Sequence, residues 1–555
     1  MLQMYTSVYD IRTYTGGSTM LPPGPRMPGL AQTAWFLRDP IGLFEHCRRR
    51  YGPIFTLRPS GFPPEVYVTT GELAEQIYRL DQGGGQAGEA RREFLEPLVG
   101  PHSVLVLDDE PWTRHRRLLT PPLRAKQVAE YRDDIAAIAA ERIATWPLGT
   151  PFALRDRLQE ITLEVIIRLV FGIRDTTRLE RLRALLPVLL DISGRPSVAL
   201  TPPATRAWLE RVPFSPSARF LRVRTAVDEL LYDEIARRRT EPGGTDVLGR
   251  LLRTELSDQE IRDELITMLL AGHETTATGV AWAFERLLRN DAILTRLRSS
   301  LGVLDRPPHT TDNANRHPSS TDGTGDITAG PHDNVGIAHG TRRNDSPLNS
   351  ATDLNGPLGN PAIPSGPPGS VTALNRPLNT HGTHSTIAPS RRDGDDNLNQ
   401  SPNDERPLND ENYLDAVIKE ALRARPVVFE APRLLDAPLN LGGYDLPAGT
   451  LVSPFIPLVH HDPATFPHPG EFRPERFMDG KHSKSWMPFG GGRRFCVGAQ
   501  LALLEMHVII REMLTRLELS APDPAPEGRR LKSATFAPAK LTRVIALART
   551  PARTP

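Results

Sequence analysis

Cysteine is nearly absent from this chain of 555 residues: Cys47 and Cys496 are the only two. Two cysteines build neither a disulfide framework nor a four-cysteine zinc site, and such sparse usage fits a reducing, cytoplasmic compartment. Long apolar runs are missing as well. No stretch of about 18 uninterrupted apolar residues occurs, so no membrane-spanning helix is expected. Residues 1–20 place Tyr5, Tyr9 and Tyr14 among Ser, Thr and Gly, without an apolar core or a cleavage-like site. They read as a disordered polar segment with no signal peptide and no membrane anchor. Neither sign of charge dominates: 67 Lys plus Arg stand against 66 Asp plus Glu, a formal charge of +1. That balance provides no global field for nucleic acid.

Aromatic residues are scarce, and none lies between Phe284 and Tyr413. Asn, Asp, Pro, Gly, Ser and Thr dominate that gap, and imperfect Pro-Leu repeats recur, as in Ser346-Pro347-Leu348-Asn349 and Arg406-Pro407-Leu408-Asn409. Such a composition cannot bury enough apolar surface to offset the entropy of ordering. Residues 303–410 therefore read as a low-complexity, disordered insertion. It interrupts a single domain made of residues 21–302 and 411–550.

What is present is mostly helical. A stiff proline-rich entry, Leu21 to Gly29, precedes a helical pattern over Pro40 to Tyr51 and two short strands, Ile54 to Leu57 and Val66 to Thr69. Gly83 to Gly88 is not a phosphate loop, because no Gly-Lys-Ser/Thr follows it; it reads as a flexible loop. Trp112 and Arg116 lie four apart on one helical face, either as a solvated face or as an indole N–H and a guanidinium presented to one carboxylate. Apolar stripes from Asp156 to Arg239 predict further helices. Ser257-Asp258-Gln259-Glu260 is a capping-box signature opening a long helix to about Arg289. In its middle, Ala271-Gly272-His273-Glu274-Thr275-Thr276 sets an acid and hydroxyls in an apolar helix. These are either polar groups satisfied within the helix or functional ones, and a bend or widened turn is expected there. Glu420 and Arg423 share a helical face, Leu439 to Val452 reads as a hairpin, and Ala534 to Leu547 as short strands.

One stretch organises the rest: Phe489-Gly490-Gly491-Gly492-Arg493-Arg494-Phe495-Cys496-Val497-Gly498, running into an apolar helical pattern from Ala499 to Leu514. Three glycines let the backbone pass close to a flat ligand, and a thiolate at a helix N-terminus is stabilised by the dipole and free N–H groups. A core cysteine is the plain alternative, for which a glycine-dense loop with two arginines is poor material. Cys496 is read as an iron ligand, Cys47 as structural.

With Phe489, Gly492, Arg494, Cys496 and Gly498 at every fixed place of Phe-x-x-Gly-x-Arg-x-Cys-x-Gly, the loop resembles the haem-binding loop of the cytochrome P450 family, in its soluble bacterial type. The resemblance covers roughly residues 21 to 548 apart from the insertion. It implies a mainly α fold with small β-sheets, binding haem b (iron protoporphyrin IX) with the Cys496 thiolate as fifth iron ligand. Trp112 and Arg116 then match a haem-propionate signature, and Arg433 matches an arginine at the second propionate. Glu274 and Thr275 take the roles of proton-delivery acid and of hydroxyl at the dioxygen site. Glu420, Arg423 and Arg476 form a buried structural triad. The implied activity is a monooxygenase placing one atom of dioxygen into a small apolar organic substrate. No Gly-x-Gly-x-x-Gly follows a strand, so ferredoxin and ferredoxin reductase type proteins supply electrons. They would dock where Arg116, Arg117, Arg493 and Arg494 gather positive charge on the cysteine side. A peroxide-using or rearranging haem-thiolate enzyme, and a non-catalytic haem sensor, are the other readings.

Overall fold

The computed structural model describes residues 21–173, 176–193, 205, 208–240, 243–244, 246–303, 410–479, 484–532 and 534–550. Segment 1–20 and almost all of the 303–410 insertion lie outside the described residues. Among those described, helices predominate and the strands are short, none longer than Arg543–Arg549. Among the described residues no helix is long and apolar enough to cross a membrane.

One mixed sheet carries much of the site. Its strands are β1 (Ile54–Leu57), β2 (Glu65–Val68), β3 (Gly85–Gln86), β4 (Arg433–Leu435) and β5 (Leu451–Pro454), in the order β1-β2-β5-β4-β3. β2 and β5 run parallel, with Tyr67 opposite Ser453, while β4 is antiparallel to both β5 and β3. The first two strands fall within a residue of the sequence expectation. Gly83–Gly88, in contrast, is not a free loop. Gly85 and Gln86 pair with Leu435 and Leu434, and the N–H groups of Gly88 and Glu89 donate to Asp108 at 2.8 and 2.7 Å. The glycines serve the turn, with φ of 134° at Gly83 and 107° at Gly84, which side chains rarely tolerate.

Six helices position the remaining groups: α1 (Glu89–Val99), α2 (Asp109–Leu119), α3 (Leu154–Val165), α4 (Asp258–Leu287), α5 (Asp410–Ala424) and α6 (Ala499–Arg516). α4 starts where expected. Ser257 accepts from the Glu260 N–H and Glu260 answers to the Ser257 N–H at 2.8 Å, a box in which the cap alone stabilises by about 1 kcal/mol. α4 is buried nearly all round, and Trp282 within it donates to the Phe536 carbonyl at 2.9 Å, tying the central helix to the C-terminal strands. The widened turn expected in α4 is not there. Thr275 satisfies its hydroxyl on the Ala271 carbonyl one turn back, so the helix continues as α. Instead a π-helical turn, Ile166–Val170, follows α3. A Cβ on Gly272 would stand 3.0 Å from Ile166 Cδ1, so the small residue of α4 lets that turn approach.

α5 begins at Asp410, one residue before the expected domain restart. Within it, Arg423 gives Glu420 two hydrogen bonds of 2.7 and 2.9 Å and caps the His460 and Glu471 carbonyls. Arg476 adds its Nε at 3.4 Å from Glu420, completing the expected triad with Glu420 and Arg423 fully buried.

Candidate functional site

The loop before α6 is a set of turns. Gly490 and Gly492 have φ of 75° and 65°, and the Cys496 N–H donates back to the Phe489 carbonyl at 3.0 Å, closing the loop under the cysteine. Gly492 has a second reason to be glycine: a Cβ there would lie 2.5 Å from the Tyr78 carbonyl oxygen. Phe489 packs edge-on against Trp486 and Phe495 at 5.9 and 6.2 Å. The Cys496 side chain is exposed to a cavity of about 1280 Å³ that it lines together with Glu274, Thr275, Arg116 and Arg433. A single drug-sized ligand needs roughly 300–1,000 Å³, so this space has room for more than one molecule. Burial pushes the Cys496 thiol up, opposed by the N–H groups of Gly498 and Ala499 and by the Arg116 charge.

Arginines from distant parts of the chain line the same cavity. Arg116 is half-buried on α2 and lines the cavity without a hydrogen bond or ion pair among the described residues; burial lowers its pKa and Cys496 works against that. Arg91, on α1, is also half-buried and without such a partner, pushed down to about 9 by burial and by the neighbouring Arg433 and Arg494. Arg433 lines the cavity too, but its guanidinium is engaged. It donates to Asp81 at 2.6 and 3.1 Å and to the Ala431 and Pro432 carbonyls. Arg494 pairs with Asp108 at 2.5 Å and lies 4.5 Å over the Trp112 ring. Trp112 is buried against the cavity, and its indole N–H makes no hydrogen bond among the described residues. Of the four arginines expected on the cysteine side, Arg117 and Arg493 remain on the surface.

Part of the cavity wall comes from α4. Glu274 Oε1 receives Arg155 of α3 at 2.8 Å and Lys532 at 3.3 Å, while Arg155 is itself held by Thr278 and Gln159. Thr275 stands next to it, half-buried on the cavity wall. His273, one residue before, is buried and pushed down to about 3 by burial and the charges of Arg155 and Lys532, so it is neutral. Sequence reasoning missed Arg91, Arg155, Lys532 and Asp81. Arg155 lies 119 residues from Glu274 and Asp81 lies 352 from Arg433, and no local spacing carries such a signal.

A model of the cytochrome P450 family matches residues 22–306 and 394–543. This chain belongs to the cytochrome P450 family. It is 34% identical over 544 residues to the protein named cytochrome P450 135B1 of Mycobacterium tuberculosis, covering 96% of this chain and 92% of that one. It is 31% identical over 526 residues to cytochrome P450 135A1 of the same organism, covering 92% and 91%. The retinoic acid-bound cyanobacterial CYP120A1 shares the fold at a TM-score of 0.66 and 20% identity, over 96% of this chain and 100% of that one. The haem domain of cytochrome P450DA does so at 0.66 and 19%, over 96% and 98%. P450s are haem-binding oxidoreductases with monooxygenase activity that use dioxygen and redox partners, and the residues here suit that cofactor. Nothing lies within 4 Å of where a Cβ on Gly490 or Gly498 would stand, which leaves a flat ligand room beside the sulfur. Two unpaired guanidiniums and a free indole N–H suit the two carboxylates of a haem.

Proposed function

We propose that this P450 is a haem-thiolate monooxygenase that inserts one oxygen atom into a small organic substrate. The observation that carries this reading is a thiol on a cavity whose lining also holds unpaired arginines and an acid beside a hydroxyl. Cys496 would ligate the iron, its thiolate stabilised by the N–H groups of Gly498 and Ala499; a metal-bound thiol is deprotonated. Arg116, Arg91 and Trp112 would hold the propionates directly. Arg433 and Arg494 line the same cavity with their charges balanced by Asp81 and Asp108, and would take part through the positions those pairs fix. Haem held there supplies the redox chemistry by which dioxygen is activated.

The chain's own contribution is then to position substrate, exclude water and move protons. Glu274 Oε1 takes both cations, leaving Oε2 without a bond among the described residues and able to carry a proton. Lys532 lines the cavity together with Glu274, so the pair stands on its wall. Thr275 donates to Ala271 and keeps its oxygen lone pairs for a proton passed from Glu274. This acid and alcohol pair favours the monooxygenase over a peroxide-using enzyme, which would not need it. Electrons would come from ferredoxin and ferredoxin reductase type donors, with Arg117 and Arg493 as exposed charges facing them, and the setting would be cytoplasmic. The test is spectroscopic. The reduced carbon monoxide complex should show the red-shifted Soret band of thiolate ligation and lose it in Cys496→His; a band that survives the substitution ends this assignment.

A further inference from the structure

Away from the cysteine, the same cavity holds a row of acids and hydroxyls. Glu65 and Tyr67 alternate onto one face of β2, and β5 sets Ser453 opposite Tyr67. Glu430 is brought alongside by its backbone bridge to Phe455. Ser453 donates to Glu65 Oε1, and the Tyr67 hydroxyl oxygen lies 2.8 Å from Glu65 Oε2 and 3.0 Å from Glu430 Oε2. One phenol carries one proton. When it donates to one carboxyl, its oxygen must accept from the other, so the two acids share a single proton and the row bears one negative charge. Burial pushes both carboxyls up, and for Glu430 the neighbouring Glu65 charge adds to this. Independently of that geometry, the charge lacks a counter-ion. Among the described residues no Lys, Arg or His forms an ion pair with Glu65 or Glu430, and Arg91 acts on Glu430 only from beyond ion-pair distance. A charge withdrawn from bulk water is ordinarily paired. Here Glu65, Tyr67 and Glu430 all line the cavity, together with Phe36, Leu57 and Phe429, so the position where a cation belongs is in the substrate space.

We propose that Glu430 and Glu65 determine substrate choice by receiving the cationic head, a protonated amine or quaternary ammonium, of an otherwise apolar molecule. The inference rests on the reading of this cavity as the substrate pocket of a haem-thiolate enzyme. Binding supplies the missing counter-ion: the head pairs with the one negative charge of the row, and the shared proton stays between the two carboxyls. The test uses the full haem-loaded protein and three ligands of equal chain length, dodecyltrimethylammonium, dodecanol and dodecanoate, titrated by calorimetry in buffers of different ionisation enthalpy. A trimethylammonium head cannot ligate iron, so the heat reports the cavity alone. The cation should bind at least tenfold tighter than the alcohol and the carboxylate, with a heat that does not change with the buffer. Glu65→Gln together with Glu430→Gln, which leaves the row uncharged, should abolish that preference while leaving dodecanol affinity within twofold. Equal affinity for the cation and the alcohol in the unsubstituted protein, or a cation preference that survives the double substitution, overturns the proposal. The carbon monoxide spectrum of the same samples keeps the two readings apart, since a normal thiolate band with no cation preference sinks this inference alone.

Discussion

His273 shows how strongly single positions here depend on what surrounds them. It sits beside Glu274, yet its ring faces Thr162, 3.0 Å from the hydroxyl, and Arg155 and Lys532 help burial hold it neutral at a pKa of about 3. His460 and His461 are lowered similarly, to about 3, by burial and the Arg423 charge. An unfolded histidine takes its proton near 6.5, so between about pH 6.5 and pH 3 the unfolded chain binds protons that the folded one does not. Stability therefore falls as pH falls through that window, by about 1.4 kcal/mol per unit for each such histidine well below 6.5. Urea midpoints measured from pH 7 to pH 5 should decline, and His273→Gln should flatten part of that decline; an unchanged slope would show that His273 is not held neutral. Thr275 makes a separate prediction. Because its hydroxyl is proposed to act on protons and not on binding, Thr275→Ala should keep haem and substrate affinity while diverting reducing equivalents into hydrogen peroxide. Unchanged coupling of reductant to product would remove Thr275 from the mechanism.

Among the elements, α5 and the cysteine loop are coupled through charge. Glu420 takes four hydrogen bonds, two from Arg423, one from the Arg473 N–H at 2.7 Å and one from Arg476, and so locks α5 to the segment that leads into the loop. Removing one partner of a buried pair leaves the other charge stranded at a cost of about 3–5 kcal/mol. Glu420→Gln should lower the denaturation midpoint accordingly and reduce haem content at equal protein concentration. A midpoint within error of the unsubstituted protein would mean the triad is not structural. The i, i+3 spacing of Glu420 and Arg423 was legible in the chain, as was the capping box of α4, because both are local. The π-helical turn after α3 was not, since it depends on Gly272 of another helix and on packing between the two.

Over the whole molecule, the family match itself stops at residue 306 and resumes at 394, inside the segment whose composition forbids a core of its own. Residues 303–410 are therefore expected to be dispensable for the haem domain. Loop closure costs only about 0.6 kcal/mol per doubling of length, so shortening the connection should not destabilise the domain. A chain joining Gly302 through a short Gly/Ser linker to Asn412 should fold, bind haem and keep the thiolate spectrum, and limited proteolysis of the full chain should cut first between 303 and 410. Failure to take up haem, or protection of that stretch in hydrogen exchange, would make it a docked element. The sequence by itself determined the family, the cysteine, the acid and alcohol of α4 and the domain's interruption, because each rests on residue type at short spacing. Only the tertiary structure decided which arginines are free and which acids meet a partner. Arg433 is taken up by Asp81 while Arg91 is left open, Glu274 is held by Arg155 and Lys532, and Glu65 and Glu430 share a proton across Tyr67. Electrostatic partnership depends on distance through space and on exclusion of water, and neither is written in the order of residues along the chain.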